Sequence, residues 1–586
     1  MQVRNQLIFL FFIFLNSLAF SQEVKFDEKK IEIIHADFTD YNEYELPGAL
    51  VLTGNIQAQH DNMHLWCNKA YYYQAENYIK LFGNVRILQN DTLQLTSKYA
   101  EYNGLQKVAY ASGNVLMTSP QSKMQTESVY YDRNTGIAHY NNNATITNKE
   151  NTLKSKAGKY YTHELKYEFR TSVVLTNPTT KITTDHLDFY ESSGHAYLFG
   201  PSHIHNENAY IYTENGFYDT KLNTGDMIKN NHILYDNKRI EADKLHYNKE
   251  KSYYKGVENV KVTDTVNKMI AKSHFAEVFR FPESDSVYMT KKPLIKALVE
   301  KDSAFIHAKD IYITGADKER KIKALKNVRM LREPNMSGRA DTLLYNQKTG
   351  LMQLLGKPVT FRGLSQMTGK EIQLINNPVT EKLDSLKVLK DAFLIEKDTL
   401  GTGYNQAKGI NLYGKFIEDK LTTVDLVQNA EMIYYIYDEG ELEGVDKGIC
   451  SRIFLEFEDQ KIETATRFVN PSSTTYPPGQ FPESEAKLPG FLWRGDERIL
   501  TKEDIFPPDE DINKEENSES STEGEKTTND TGTSSQTDTK TNQKQNGKMS
   551  SNNLRQNLTT EQELDAVNPN QPMPVLEKTK NKQGKK

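Results

Sequence analysis

Apolar and polar residues alternate along this chain in short runs, the pattern of strands with one covered face. Aligning Leu81-Phe82-Gly83-Asn84-Val85-Arg86-Ile87 on Tyr110-Ala111-Ser112-Gly113-Asn114-Val115-Leu116-Met117 brings a Gly-Asn step and two alternate apolar residues into register. The same step occurs earlier as Thr53-Gly54-Asn55-Ile56. The position held by Ile56 recurs as Val85, Val115, Ala144, Val173, Ser202, His232, Val260, Leu294, Val328, Val359, Phe393 and Ala430, spaced by 28 to 30 residues as far as Val260 and by 31 to 37 beyond it. Ser202 and His232 are the weakest positions, and Ile204 and Leu234 restore the apolar residue two places on.

A second half-motif lies between these positions, as Ser97-Lys98-Tyr99-Ala100-Glu101-Tyr102, Glu127-Ser128-Val129-Tyr130-Tyr131, Asp185-His186-Leu187-Asp188-Phe189-Tyr190, Ala242-Asp243-Lys244-Leu245-His246-Tyr247 and Ala340-Asp341-Thr342-Leu343-Leu344-Tyr345. Turn residues such as Asn134-Thr135-Gly136 and Asn223-Thr224-Gly225 follow these aromatic strands. Each repeat predicts strand, turn, strand, corner, strand. One unit cannot bury its apolar face alone, so neighbours must stack around a shared interior. The stretch Glu381 to Leu394 reads as loop or strand, and the repeats contain no three-turn amphipathic helix. From Asn470 the pattern breaks into prolines 471, 477, 478, 482 and 489, followed by the apolar knot Gly490-Phe491-Leu492-Trp493, which is expected to plug or cap the last rung. After Phe506 the chain has no Phe, Tyr or Trp, so residues 507–586 are expected to be a disordered polar tail.

Composition agrees with an all-β chain, with 33 Tyr and 25 Phe against 19 Pro in 586 residues. A net charge of −6 supplies no global attraction for nucleic acid. Residues 1–21 read as an export leader, with Arg4 before the apolar run Leu7 to Leu15 and Ala19-Phe20-Ser21 at the cleavage positions. No later stretch approaches the roughly 20 apolar residues that span a bilayer. Two cysteines, Cys67 and Cys450, exclude a disulfide-rich scaffold and leave open either one long-range bridge or two separate buried thiols.

Signatures of catalysis and cofactor binding are missing. Gly350 to Lys357 resembles a phosphate loop only faintly, and Pro358 stands where a Ser or Thr must meet magnesium. His203 and His205 share a strand face at a spacing that can chelate a metal, but two solvated histidines on the outer face are the far commoner outcome of such a pair. The expectation is a non-enzyme with no metal site and no cofactor.

The leader, the repeats, the Gly-Asn-Val corner and the recurrent Ala-Asp-x-Leu-x-Tyr strands together resemble the organic-solvent-tolerance, or lipopolysaccharide-transport A (OstA/LptA-like), family. The resemblance runs clearly from Ile33-Ile34-His35-Ala36-Asp37 to about Asn148, continues in degenerate form to Val260, and returns from Ala340-Asp341 to Phe361. It implies a periplasmic protein folded as a stacked, V-shaped β-jellyroll. It also implies an apolar groove for lipopolysaccharide acyl chains, and open ends that join jellyroll domains of inner- and outer-membrane partners by β-augmentation, with self-association by the same route. The chain departs from the family in its length, its looser later repeats and its polar tail.

The expected organisation is a leader (1–21), jellyroll repeats (22–260), a looser repeat region (261–470), a Pro-rich cap (471–506) and the tail (507–586). The expected groove residues are Val85, Ile87, Val115, Met117, Ile146, Val173, Leu175, Val260, Val262, Val328, Met330, Val359 and Phe361. In any stacked β array the same residues simply fill the core. The alternative function is therefore an exported β-solenoid scaffold that binds envelope proteins or glycan through its ends or outer face. A third reading, a parallel β-helix acting on polysaccharide, lacks the carboxylate cluster it needs.

Overall fold

The computed structural model describes residues 29–508, except 208, 283, 300–301, 335 and 459–460. The leader and all but the first two residues of the tail lie outside the described residues. The described chain is all-β: thirty-eight strands run from Glu32–His35 to Ser472–Tyr476, and the only helices among the described residues are single 3-10 turns at Glu483–Glu485, Gly495–Glu497 and Glu503–Ile505. The chain divides into two compact units, one of residues 1–235 with 241–255 and another of 236–240 with 256 onward.

In the first unit, consecutive strands pair antiparallel in chain order, so that Ala49–His60, Met63–Tyr73, Tyr78–Gln89, Leu93–Asn103, Val108–Thr118 and Lys123–Asp132 form a meander. Every register breaks mid-strand. Between Phe82↔Tyr99 and Val85↔Ser97, for instance, Gly83 and Asn84 oppose Lys98 alone. This is a β-bulge, which bends the strand.

The bulge demands left-handed backbone. Positive φ occurs in pairs at Gly54-Asn55 (80° and 45°), Gly83-Asn84 (69° and 46°) and Gly113-Asn114 (82° and 53°). Glycine and asparagine tolerate that region best, which explains the repeated Gly-Asn step. The second unit keeps the glycine at Gly356-Lys357 but holds the same geometry without it at Lys291-Lys292, Lys326-Asn327, Lys390-Asp391 and Gln428-Asn429. A bulge also leaves a carbonyl without a ladder partner. Here a short side chain satisfies it: Ser97, Thr126, Ser155, Thr184 and Thr213, each 29 residues after the last, donate a hydroxyl to the carbonyl two residues on, at 2.6 to 3.3 Å. Cys67 and Cys450 hold the same place. Their thiols donate to the carbonyls of Lys69 and Arg452, and both are buried and free. Burial pushes the Cys67 thiol up to about 11, which keeps it protonated and unreactive.

Each bent strand thus contributes one segment to each of two arms. In the arm that follows the corners, directly opposed residues form an unbroken aliphatic ladder through the first unit: Leu65, Ile87, Leu95, Met117, Met124, Ile146, Leu153, Leu175, Ile182, Ile204, Ile211 and Ile233. The second unit runs a corresponding ladder through Ala271, Ile295, Ile306, Met330, Gly338, Thr360, Met367, Leu394, Ala407 and Met432, which thins to small and polar residues at Gly338 and Thr360. The Pro-rich segment expected at the last rung runs back across the opposite face of this second sheet. Ile499 and Ile505 pack there with Leu294, Phe305 and Leu331.

Gly113→Val tests the corner. A β-branched residue at positive φ is a conformational outlier, and its Cβ would lie 2.9 Å from that of Lys98. We expect a loss of at least about 2 kcal/mol, read as a lower denaturation midpoint. An unchanged midpoint would show that the bend does not depend on the left-handed pair.

Candidate functional site

The interior lies between the two arms. Ile87, Leu95 and Met117 from one arm and Ala111, Val129 and Tyr131 from the other line a small cavity of about 20 Å3, so the arms face each other with their apolar sides. All thirteen residues expected in the groove are buried. Val85, Ile87, Val115, Met117, Ile146, Val173 and Leu175 share one face through the strand registers of the first unit. Val328 and Met330 face inward in the second unit, where Val260 and Val262 are also buried. Val359 and Phe361 lie on the other face. Phe361 opposes Ser337 and Val359 opposes Arg339, whereas the inward positions of those strands are Gly338 and Ala340. Pro358 takes the inward place after the corner at Gly356-Lys357, as Val85 does after Gly83-Asn84, so Val359 and Phe361 fall on the other face.

The sequence reading missed the edge where the arm tips meet. Arg133 at one tip donates to the Tyr102 hydroxyl at 2.5 Å and to Asn62 at the opposite tip at 3.0 Å. His60 lies 2.6 Å from the Tyr102 hydroxyl and 2.8 Å from the Lys29 carbonyl. Only Nε2–H can serve that carbonyl, so Nδ1 accepts from the tyrosine. Burial holds His60 below its ordinary pKa, consistent with this neutral ring. The arrangement recurs. Ser122 contacts the Tyr167 hydroxyl at 2.9 Å and donates to Glu191, Thr180 contacts Tyr218 at 3.1 Å, and Asn206 donates to Tyr247 at 2.7 Å.

Tip-to-tip partners keep a near-constant separation: 71 residues for Asn62 and Arg133, 72 for Ser119 and Glu191, 69 for Asn151 and Thr220, and 70 for Thr179 and Lys249. Each contact therefore bridges more than two repeats, and the edge is laced rather than closed rung by rung. In the second unit a buried charge network replaces the tyrosines. Lys238 lies 3.4 Å from Asp285 and 3.2 Å from Asp317, and Arg320 lies 3.1 Å from Asp285 and 2.8 Å from Asp317. Desolvation offsets much of the attraction in such a network, so it specifies alignment more than it adds stability.

A larger cavity, about 70 Å3, opens inside the second unit. Ladder residues Met367, Leu394, Ala407 and Met432 line it together with Arg362 and Glu396. Burial lowers Arg362 and raises Glu396 relative to their ordinary pKa values. Among the described residues no group of three or more His, Cys, Asp or Glu could hold a metal ion. His203 lies 2.7 Å from the Tyr210 hydroxyl and meets the Tyr212 ring edge-on, at 5.3 Å between ring centroids.

The family described as OstA-like protein matches residues 28–185. Residues 28–185 are OstA-like. The match covers the meander that carries the Gly-Asn corners and most of the aliphatic ladder. A solved structure described as LptH, the LptA-homologous periplasmic component of the conserved lipopolysaccharide transport device from Pseudomonas aeruginosa, aligns with 17% identity over 23% of this chain and 82% of its own, at a TM-score of 0.13. No curated protein matches the chain. Glu191, which fastens one tip of the lacing, lies just past the OstA-like region.

Glu191 makes the lacing testable. The side chain is 4% exposed, and burial raises its pKa despite the hydroxyls of Ser119, Ser122 and Tyr167. A carboxyl raised in the fold stabilises it fully below its unfolded pKa of about 4.3 and loses that contribution as pH rises through the folded value. Glu191→Gln keeps a neutral hydrogen-bonding group at every pH. It should raise the melting temperature at pH 7.5, by the equivalent of about 1 kcal/mol, with the difference shrinking towards pH 4. A lower melting temperature at pH 7.5 would mean that the lacing relies on the ionised carboxylate.

Proposed function

We propose that this chain is a non-enzymatic lipopolysaccharide-transport-type protein of the periplasm, which shields acyl chains between its arms and bridges inner- and outer-membrane partners. The observation that carries the proposal is the unbroken aliphatic ladder of the first unit, which lies largely in the OstA-like region and is closed along one edge by hydrogen bonds and a few ion pairs. An acyl chain transferred from water gains about 0.8 kcal/mol per buried methylene. Each hydrogen bond of the lacing contributes a net 0.5 to 1.5 kcal/mol, roughly one or two methylenes. Cargo of lipid length can therefore replace arm-to-arm contact and lacing together. Successive rungs present similar aliphatic side chains, so a chain can slide between them without a deep trap.

The ends support the bridging part of the proposal. Among the described residues the first bent strand, Glu32–His35 and Phe38–Tyr41, pairs only with Ala49–His60, and Ile34, Phe38 and Tyr41 are exposed on it. Its outer edge has no ladder partner among the described residues and lies beside apolar side chains, the template for β-augmentation. At the other end, among the described residues, Lys461–Phe468 and Ser472–Tyr476 pair only with Glu441–Glu458.

A second reading, the exported scaffold with a solid interior, draws on the small size of the cavities. A photo-crosslinking residue at Ile146, inside, compared with one at Lys98, outside, separates the two. Transport predicts a lipopolysaccharide adduct at position 146 in the cell envelope and none at 98. Absence of adduct at 146, or equal labelling at both, favours the scaffold.

A further inference from the structure

Residues 481–506 belong to no strand ladder among the described residues, yet they are specifically held. Two buried glutamines on the outer face of the second unit's sheet clasp its main chain, and Arg329, Lys408 and Lys447 of the sheet reach its edges. Gln366, fully buried, donates to the Leu492 carbonyl at 2.8 Å and accepts from the Arg494 N–H at 2.6 Å. Gln406, 2% exposed, donates to the Ala486 carbonyl at 2.8 Å and accepts from the Leu488 N–H at 2.8 Å. Each amide thus reads one carbonyl and the N–H two residues on, the presentation of an extended main chain. Ser337 adds a third point, accepting from the Ile499 N–H at 3.3 Å.

Side chains supply anchors between the clasps. Leu488 packs with Phe393, Ile395, Ile433 and Val445. Phe491 and Trp493 close on Tyr404, with centroids at 5.2 and 5.4 Å. Phe506 covers His307 edge-on at 5.0 Å. The spacing matches the sheet. Gln406 and Gln366 lie two strands apart, about 10 Å. The six residue-to-residue steps from Leu488 to Arg494 would span about 20 Å if extended. The turn that returns the Phe491 N–H to the Leu488 carbonyl at 3.0 Å takes up the slack, with Gly490 at a φ of 92°.

The sheet beneath does not need this segment to close. The opposite face of the same strands is packed by Met367, Leu394, Ala407 and Met432. The clasp glutamines, by contrast, have no evident purpose in a bare sheet, where a buried amide without partners costs free energy. We propose that this outer face is a recognition groove for a linear peptide, and that residues 481–506 are its tethered ligand, docked on a sheet that is already complete. The partner it fits is an extended segment carrying Leu-x-x-Phe-x-Trp, here supplied by Leu488, Phe491 and Trp493 of the chain itself.

The test cuts the tether after folding. A protease site is placed at residues 478–480 of the full chain, the folded protein is cleaved, and a fluorescent peptide of residues 480–506 is added in excess. We expect the cleaved segment to remain associated on gel filtration and then to exchange with the labelled peptide, seen as a rise in anisotropy. A peptide carrying Phe491→Ala and Trp493→Ala should compete at least tenfold more weakly. Gln366→Ala with Gln406→Ala in the cleaved chain should weaken binding of the native peptide by at least tenfold. The proposal is overturned if the segment never exchanges while the strands stay folded, if it leaves and does not rebind, or if the variants bind as well as the originals.

Discussion

A left-handed corner, most often of two residues, in the middle of alternate strands is the constraint from which the rest of the structure follows. Without it the chain would form a flat meander with two exposed faces, and its aliphatic ladder would lie in water. With it, each strand supplies two arms whose apolar sides meet. The corner is costly, because it places side chains at positive φ and strips a carbonyl of its ladder partner. Repeated glycines meet the first cost in the early repeats, and a hydroxyl or thiol one strand over meets the second. The lost glycines at Lys291-Lys292 and Lys390-Asp391 show that once neighbouring rungs impose the bend, the local preference becomes dispensable.

The lacing follows from the same bend. Arms folded from one continuous sheet share its twist, so their tips meet out of step, and partners about 70 residues apart come together. Tyrosine suits that edge, since its ring belongs to the interior and its hydroxyl reaches the opposite tip. Tyr102, Tyr218 and Tyr247 do this in the first unit, while Lys238 and Arg320 serve the corresponding edge of the second.

Much of this was legible in the sequence. The period, the all-β class, the Gly-Asn corners and the inward set from Val85 to Leu175 all follow from alternation and turn chemistry. Val359 and Phe361 did not, because the inward place after the corner at Gly356-Lys357 is held by Pro358, and the apolar residues that draw the eye there, Val359 and Phe361, sit one place on. The hydroxyls at 97, 126, 155, 184 and 213 were visible as a strict 29-residue series, but a lone Ser or Thr carries little signal until the carbonyl it serves is known. The lacing and the glutamine clasps join residues far apart in the chain, and no local pattern records them. Gly490 to Trp493 stood out as an apolar knot in the sequence, yet its place on a sheet face rather than at the last rung depends on Gln366 and Gln406.

The central claim is that the two arms of the first unit part to admit lipid. Pulsed electron–electron resonance between spin labels at Asp91 and Glu164, exposed turn residues at opposite tips, measures this directly. The account predicts a distance distribution that lengthens by about 4 Å or more when lipopolysaccharide is added, the thickness of one layer of carbon atoms. A distribution that stays unchanged while lipopolysaccharide binds would place the lipid elsewhere and contradict the account.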